Sequence, residues 1–247
     1  ANVAITNTAT AIQAGAIKTG IAGGVESSSD APVKISHKLK KTLLQAQKAK
    51  GLKGMWQVIK DFKFKSLAPE APAIAEFSTG LTMGADADQL AAKFNVSRQQ
   101  QDEFALRSHQ NAAAAWEAGV FDQEVCPMPI PPKFEVVKQD DTFYANSSLE
   151  KLSQLKPAFV RPHGTITAGN ASPITDGAAV SLLMDLDEAK ARKLNPKVVI
   201  EGFTFSGQNP HGELLLGPAY TIPKLMNEAG LKIEDIDVYE IHEAFAG

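Results

Sequence analysis

This 247-residue chain contains a single cysteine and no long apolar run, and its first residues show no recognisable leader. Cys126 is the single cysteine, which excludes a disulfide framework within the chain and fits a reducing compartment. No apolar run is long enough to span a bilayer. The first residues contain no initiator methionine, basic segment or apolar segment, so whatever targets the intact protein is not visible in them.

Acidic residues are scarce in one stretch. Between Lys34 and Lys65 only Asp61 opposes many lysines, whereas the whole chain carries a formal net charge of −3, so the remainder is distinctly acidic. Leucines and aromatics alternate with these lysines at helical spacing, and Gly51 with Gly54 indicates a bend between two helices. Two interpretations stay open: a solvated basic face, or an element that docks on a membrane surface or a partner.

With 44% hydrophobic and 21% charged residues, the chain has the composition of one large globular domain or two modest ones. Residues 1–19 predict a buried, alanine-rich helix. The predicted strands are 20–24, 178–184, 197–205 and 235–241, with helices at 186–193 and 223–229. Strands alternating with helices indicate parallel crossovers and an α/β fold.

The middle of the chain predicts helices without strands. One helix covers 84–94, and Ser97 with Gln100 forms a capping-box pattern that starts a second, which Gly119 ends. A short helix is expected over 147–155. The proline-rich stretch around Cys126 cannot pair as a central strand. No helix N-terminus or nearby histidine activates Cys126 locally, so we expect an inert, partly buried thiol rather than a nucleophile.

The final residues change from a strand pattern, Ile236–Ile241, to the helix-favouring run His-Glu-Ala-Phe-Ala. We expect His242 at a strand-to-helix junction, where unpaired backbone N–H groups suit an anion or a developing oxyanion. The alternative is that His242 has no functional role. No helix end follows, which predicts that the chain is a piece of a longer protein.

Several segments together resemble one family, the thiolases. The matching segments are Gly164-Thr-Ile-Thr-Ala-Gly-Asn-Ala-Ser172, Thr175-Asp-Gly-Ala-Ala179, Leu216-Gly-Pro-Ala219, Asn227-Glu-Ala-Gly-Leu231 and His242-Glu-Ala-Phe-Ala246. The His-Glu-Ala-Phe ending, the lysine-rich insertion, Ala22–Ser29, and Phe77–Gly80 with Met83-Gly84 are similar to the subgroup that forms the β subunit of the fatty-acid oxidation (trifunctional) complex. The resemblance covers essentially the whole chain.

The resemblance implies an α/β fold with five αβαβα layers and an inserted, mainly helical loop domain, incomplete in this chain. On that pattern, 1–29 and 164–194 belong to the N-terminal half, 30–163 form the loop domain, and 195–247 begin the C-terminal half.

The implied reaction is the cleavage of 3-ketoacyl-CoA by CoA in fatty-acid β-oxidation, an acyl transfer. His242 matches the position that helps hold a water in the oxyanion hole, and Glu243 and Phe245 match positions that shape the site. The nucleophilic cysteine is expected before residue 1, and the catalytic histidine and second cysteine beyond residue 247. The 247-residue chain alone is therefore expected to be inactive.

Ser172, Ala168 and Phe159 match positions that contact CoA, and Met83 matches one that lines the acyl pocket. The alternative for each is an ordinary turn or core residue. Tyr144 stands where relatives often have an arginine near the nucleotide end of CoA, so the contacts there are expected to differ. The histidines show no metal-ligand spacing, and the resemblance implies neither a metal nor a cofactor, with CoA acting as substrate.

The implied partners are acyl-CoA, CoA, a second copy in a homodimer and a hydratase/dehydrogenase α subunit. Peripheral membrane contact through 34–65 is a further expectation, and no nucleic acid is implied. The implied location is the bacterial cytoplasm or the mitochondrial matrix at the inner membrane. Two other functions stay open: a non-catalytic thiolase-like CoA-binding, lipid-binding or scaffold subunit, and a condensing enzyme that runs in the synthetic direction.

Overall fold

The computed structural model describes residues 2–30, 35–60, 62–68 and 74–247. Its helices are α1 (Asn2–Gln13), α2 (His37–Lys48), α3 (Gly51–Lys60), α4 (Met83–Lys93), α5 (Arg98–Glu117), α6 (Leu149–Ser153), α7 (Leu186–Ala191) and α8 (Gly217–Ala229). Its strands are β1 (Thr19–Glu26), β2 (Met128–Ile130), β3 (Glu135–Val137) and β4 (Gly177–Met184). None of the helices in these ranges is long and apolar enough to cross a membrane.

β1 and β4 form a two-stranded antiparallel sheet in which Thr19 lies opposite Met184 and Glu26 opposite Gly177. Both strands were predicted, but the parallel arrangement is wrong for this pair, because a hydrophobic run specifies a strand and not the direction of its neighbour. Beyond the sheet, the carboxylate of Asp176 accepts from the N–H groups of Ser28 and Ser29. The N–H of Ser29 is the main cause that lowers the pKa of Asp176.

α1 packs on one face of this sheet, where a Cβ on Gly20 would lie 2.5 Å from Cγ2 of Thr8. The predicted helix is confirmed, but its expected burial is wrong, because Thr6 is its only buried residue among those described. The opposite face of the sheet presents apolar side chains to solvent. These are Ile21, Val25, Val180 and Leu182.

The best-packed region lies where α4, α5 and α6 meet the 164–170 loop. Its buried side chains are Ala87, Asp88, Leu90, Ala91, Gln101, Asp102, Ala105, Leu152, Ile166, Thr167 and Asn170. The region is rich in polar groups, so its stability depends on hydrogen bonds as well as on apolar burial.

Side-chain caps set the helix starts near this core. The Ser97–Gln100 capping box is confirmed: Gln100 N donates to Ser97 Oγ at 3.3 Å, and Ser97 N donates to Gln100 Oε1 at 2.8 Å. Gly119 follows the end of α5 at φ +70, as predicted. The predicted 147–155 helix is α6, which begins two residues later than expected because Ser148 is its cap.

Two predicted strands are wrong. Residues 197–205 and 235–241 contain no strand, although α8, which lies between them, ends at Gly230 with φ +68 as predicted. A strand needs a hydrogen-bonded neighbour, and neither segment has one in the described part of the chain. α8 also begins earlier than expected, at Gly217, because Pro218 suits the first helical turn.

The basic stretch forms α2 and α3, which confirms two helices with a bend at Gly51, where φ is +69. Leu43, Leu44, Leu52 and Trp56 are exposed on them. Lys34 and Asp61, which help define the charge run, lie outside the described residues.

The proline-rich stretch supplies β2, which pairs antiparallel with β3. Cys126 precedes it and is exposed rather than partly buried, because the hairpin is open to solvent on both sides.

Candidate active site

A cleft of about 270 Å³ brings together residues from distant parts of the chain. One wall is the inner face of α5, and the others come from the 142–143, 169–173 and 242–246 segments. The lining residues that carry polar or ionisable side chains are Ser108, His109, Thr142, Asn170, Ser172, His242 and Glu243. The two strongest sequence motifs, which end at Ser172 and begin at His242, therefore meet in one cleft.

Backbone hydrogen bonds hold these two segments side by side. Ser172 N donates to the carbonyl of Ala244 at 2.9 Å, and Ala246 N donates to the carbonyl of Asn170 at 3.0 Å. Ala171 and Phe245 form an isolated antiparallel bridge between them. This short ladder fixes the register, so the 242–246 segment cannot slide along the loop.

His242 and Glu243 are both exposed at the cleft. Glu243 Oε2 accepts a hydrogen bond from Ser108 Oγ at 2.6 Å. The expected strand-to-helix junction is wrong: within the described residues, no strand ends and no helix begins at His242. The helix-favouring residues Glu243–Ala246 instead pair with the 170–172 loop, because tertiary hydrogen bonds outweigh a short local propensity.

Two aromatic rings lie beside this ladder. Phe159 and Phe245 meet edge to face, with ring centroids 6.0 Å apart and an interplanar angle of 83°. The Phe159 ring lies directly against Gly84, where a Cβ would overlap it. Met83, the first residue of α4, precedes this glycine and is exposed. Phe159, Phe245 and the start of α4 therefore form one group.

Ala168 is exposed at the tip of the 167–170 turn and does not line the cleft. Asn170 shapes this turn, because its Oδ1 accepts from the N–H of Thr167 at 2.7 Å. Gly169 N donates to Thr167 Oγ1 at 3.2 Å. The small-residue run is thus a tight, self-bonded turn that leaves its outer surface open.

Two buried carboxylates support the loop from beneath, and the sequence alone gave neither a role. Asp88 Oδ1 accepts from the N–H groups of Thr165 at 2.6 Å and Ile166 at 2.9 Å. Asp102 accepts from both Arg98 Nε, at 2.8 Å, and Asn170 Nδ2, at 2.9 Å. The i, i+4 spacing of arginine and aspartate was the available signal for the second.

At the outer side of the cleft, the ring of Tyr144 meets His109 edge to face with centroids 5.3 Å apart. Tyr144 N donates to His109 Nδ1 at 3.4 Å, and the tyrosine side chain is exposed. An uncharged aromatic ring therefore stands near the cleft at the position where the resemblance leads one to expect an arginine.

A second cavity of about 480 Å³ lies between α1, α8 and the 200–206 segment. It is larger, but no ionisable side chain lines it, and none of the predicted site residues does. The smaller cleft is the better candidate for chemistry because it holds a histidine, a carboxylate and converging hydroxyls.

Fold and cleft together describe an α/β protein with an open cleft where a glycine-containing loop meets a His-Glu segment. The chain belongs to the thiolase family: the thiolase N-terminal domain model matches residues 1–187, and the thiolase C-terminal domain model matches residues 194–247.

Curated relatives agree with this assignment. The chain is 47% identical over 246 residues to "Probable 3-ketoacyl-CoA thiolase" of Caenorhabditis elegans, and it covers 55% of that protein. It is 46% identical over 247 residues to "Trifunctional enzyme subunit beta, mitochondrial" of Homo sapiens, of which it covers 52%. In both alignments all of this chain is covered, so it spans about half the length of the curated relatives it matches.

Solved structures confirm the fold. The Bacillus anthracis acetyl-CoA acetyltransferase superposes with a TM-score of 0.81 at 34% identity, over 98% of this chain and 57% of that one. Human mitochondrial 3-ketoacyl-CoA thiolase gives a TM-score of 0.81 at 28% identity, over 98% and 57%. The expected thiolase fold, incomplete in this chain, is therefore confirmed.

Proposed function

We propose that the full-length protein is an acetyl-CoA C-acyltransferase, a 3-ketoacyl-CoA thiolase of fatty-acid β-oxidation. The reaction breaks the bond between the α- and β-carbons of a 3-ketoacyl-CoA. The acyl group shortened by two carbons passes to the sulfur of CoA, and the two-carbon part takes up a proton and leaves as acetyl-CoA. The observation that carries the proposal is the short ladder between 170–172 and 244–246, which brings Ser172 and His242 into one cleft.

In this proposal His242 helps hold the water that stabilises the thioester oxygen as negative charge develops on it. Glu243 and Phe245 shape the site on either side of the ladder. His242 is exposed at the cleft, which leaves its imidazole accessible to a bound substrate.

The residues proposed to contact CoA and the acyl chain lie in or near the same cleft. Ser172 lines the cleft, Phe159 contacts Phe245, and Ala168 lies at the open tip of the turn, where a pantetheine chain can approach the backbone. Met83 begins α4 beside this group and serves the acyl pocket. CoA enters as a substrate, and no further cofactor is proposed.

We also propose the division expected from the resemblance: 1–29 with 164–194, a loop domain at 30–163, and 195–247. The antiparallel pair formed by β1 and β4 supports it, since this pair joins the two parts assigned to the N-terminal half.

The nucleophile and the base are proposed to lie outside these 247 residues, because the lone cysteine, Cys126, is exposed and does not line the cleft. Sequencing the gene on both sides should reveal an upstream cysteine and a downstream histidine and cysteine. The full-length protein should then consume 3-ketoacyl-CoA in a CoA-dependent way, and the 247-residue chain should not.

The absence of those flanking residues, together with CoA binding but no thiolysis by the full-length protein, would instead favour the non-catalytic CoA-binding subunit. Turnover by the 247-residue chain would overturn the proposed location of the nucleophile.

We further propose a homodimer that associates with a hydratase/dehydrogenase α subunit. The support is the similarity to proteins named trifunctional enzyme subunit beta. The proposed location is the mitochondrial matrix at the inner membrane, or the bacterial cytoplasm, since the relatives include mitochondrial and bacterial proteins. The exposed leucines and tryptophan of α2 and α3, among lysines, support peripheral contact with an anionic membrane.

A further inference from the structure

One face of α5 touches the candidate site at three points. Gln101 and Ser108 share one face of the helix because they are seven residues apart, and Asp102, which follows Gln101, is buried at the edge of that face. Asp102 holds the side chain of Asn170, and Ser108 donates to Glu243 Oε2. Each of the two paired segments is therefore fastened separately to the same helix.

The third point is Gln101, which is fully buried. Its Nε2 donates to Val96 O at 3.1 Å and to Thr165 Oγ1 at 2.9 Å, while its Oε1 has no partner among the described residues. The carboxamide lies against Gly247, where an added Cβ would be 3.3 Å from Gln101 Cδ and 3.0 Å from Ile166 Cδ1.

These contacts order the 243–247 segment along the helix. The axial rise from Gln101 to Ser108 is about 10 Å, and an extended chain from Glu243 to Gly247 spans at most about 14 Å. Ser108 meets the start of the segment and Gln101 meets its end. The segment therefore runs antiparallel to α5, with the helix as a rigid support and the 170–172 loop as its other neighbour.

We propose that Ser108 is a positioning residue for His242. This role rests on the proposed thiolase function, and none of the matched motifs includes Ser108. Its hydroxyl fixes the Glu243 carboxylate by a short, charge-assisted hydrogen bond. Glu243 adjoins His242, and Ser172 N holds the next carbonyl, that of Ala244. With the chain fixed at 243 and 244, the imidazole at 242 is aimed into the cleft.

The test uses the full-length protein with Ser108→Ala. A group that acts through His242 affects the transition state more than substrate binding, so we expect kcat to fall about tenfold while KM changes less than about threefold. Ser108→Thr keeps the hydroxyl and should restore most of kcat. Ser153→Ala is the matched control, since its exposed hydroxyl bonds, among the described residues, only to Glu150 O within α6.

A second readout does not depend on activity. Amide hydrogen exchange at Ala246, whose N–H bonds to Asn170 O, should accelerate in Ser108→Ala and not in Ser153→Ala. If the wild-type protein lacks thiolysis but this acceleration is found, the proposed function fails and the positioning by Ser108 stands. If thiolysis is present and Ser108→Ala matches Ser153→Ala in both kcat and exchange, the positioning is wrong and the function stands.

Discussion

At the scale of single residues, Asp86 has a carboxylate that is 1% exposed and makes no hydrogen bond within the described chain. Burial raises its pKa, and the backbone N–H of Leu215 acts in the opposite direction without reaching hydrogen-bond geometry. The raised pKa means that folding favours the protonated form. The folded protein therefore binds more protons than the unfolded chain between the ordinary pKa of this carboxyl and its raised value.

From this we predict how Asp86→Asn changes the pH dependence of stability. In the wild-type protein the contribution of Asp86 to the free energy of unfolding falls as pH rises through that window, and it stays low above it. The asparagine variant lacks this loss, so its advantage over wild type should grow as the pH rises above the ordinary pKa of this carboxyl, and should then level off. Urea denaturation at each pH measures it, with the exposed Asp140→Asn as control. An advantage that is constant with pH would contradict the prediction.

At the scale of elements, the contact between α4 and the 157–164 segment depends on two glycines. A Cβ at Gly84 would overlap the Phe159 ring, and one at Gly164 would lie 2.6 Å from Asp88 Oδ2. The helix and the segment therefore approach more closely than residues with side chains would allow. This approach lets Asp88 accept from the Thr165 and Ile166 N–H groups, so glycine at these positions also serves the loop beneath the cleft.

Gly84→Ala should push the Phe159 ring away from Phe245 and cost about 1–3 kcal/mol of unfolding free energy, as overpacking does. The control is Gly54→Ala within α3, where the nearest contact of the new Cβ among the described residues would be Ala49 Cβ at 3.4 Å. That change should stabilise by up to about 1 kcal/mol, because alanine favours a helix. Chemical denaturation compares the two. Equal effects would show that the space beside Phe159 is not limiting.

Some features of the helices and strands could be predicted from the sequence alone, and others could not. Helix ends were predictable because Ser97, Gly119 and Gly230 act on neighbouring backbone groups, so their signal is local. The strand partners were not, because β1 pairs with a segment far along the chain and in the direction opposite to the one expected. At 197–205 and 235–241 the pattern predicted strands, but a pattern does not supply the hydrogen-bonded neighbour that a strand requires.

The residues of the candidate site also separate into those that the sequence points to and those that only the structure shows. His242 and Ser172 could be proposed from the sequence because their motifs resemble those of a family. Asp88, Gln101 and Ser108 were not, because a polar residue on a helix usually faces solvent, and only tertiary packing shows that these three face the loop and the terminal segment. The ladder between the two motifs was not predicted either, because the residues Glu243–Ala246 locally favour a helix.

At the scale of the whole molecule, positive charge is concentrated in α2 and α3 while the rest of the chain is acidic. Lys38, Lys40, Lys41 and Lys48 are all exposed on or beside the apolar side chains of α2. Each lysine near an anionic bilayer contributes about 1 kcal/mol, so four of them change the partition coefficient roughly 1,000-fold. The apolar side chains add a contribution that salt does not screen.

Replacing these four lysines by glutamate should therefore abolish sedimentation of the full-length protein with phosphatidylserine-containing vesicles. Binding of the wild type should weaken with added salt. The matched control replaces Lys138, Lys156, Lys193 and Lys197, which are exposed elsewhere and give the same change in net charge. If the membrane contact is local, only the first variant loses binding. Equal loss in both would mean that net charge alone drives association, and unchanged sedimentation of the first variant would leave α2 and α3 as a solvated basic face.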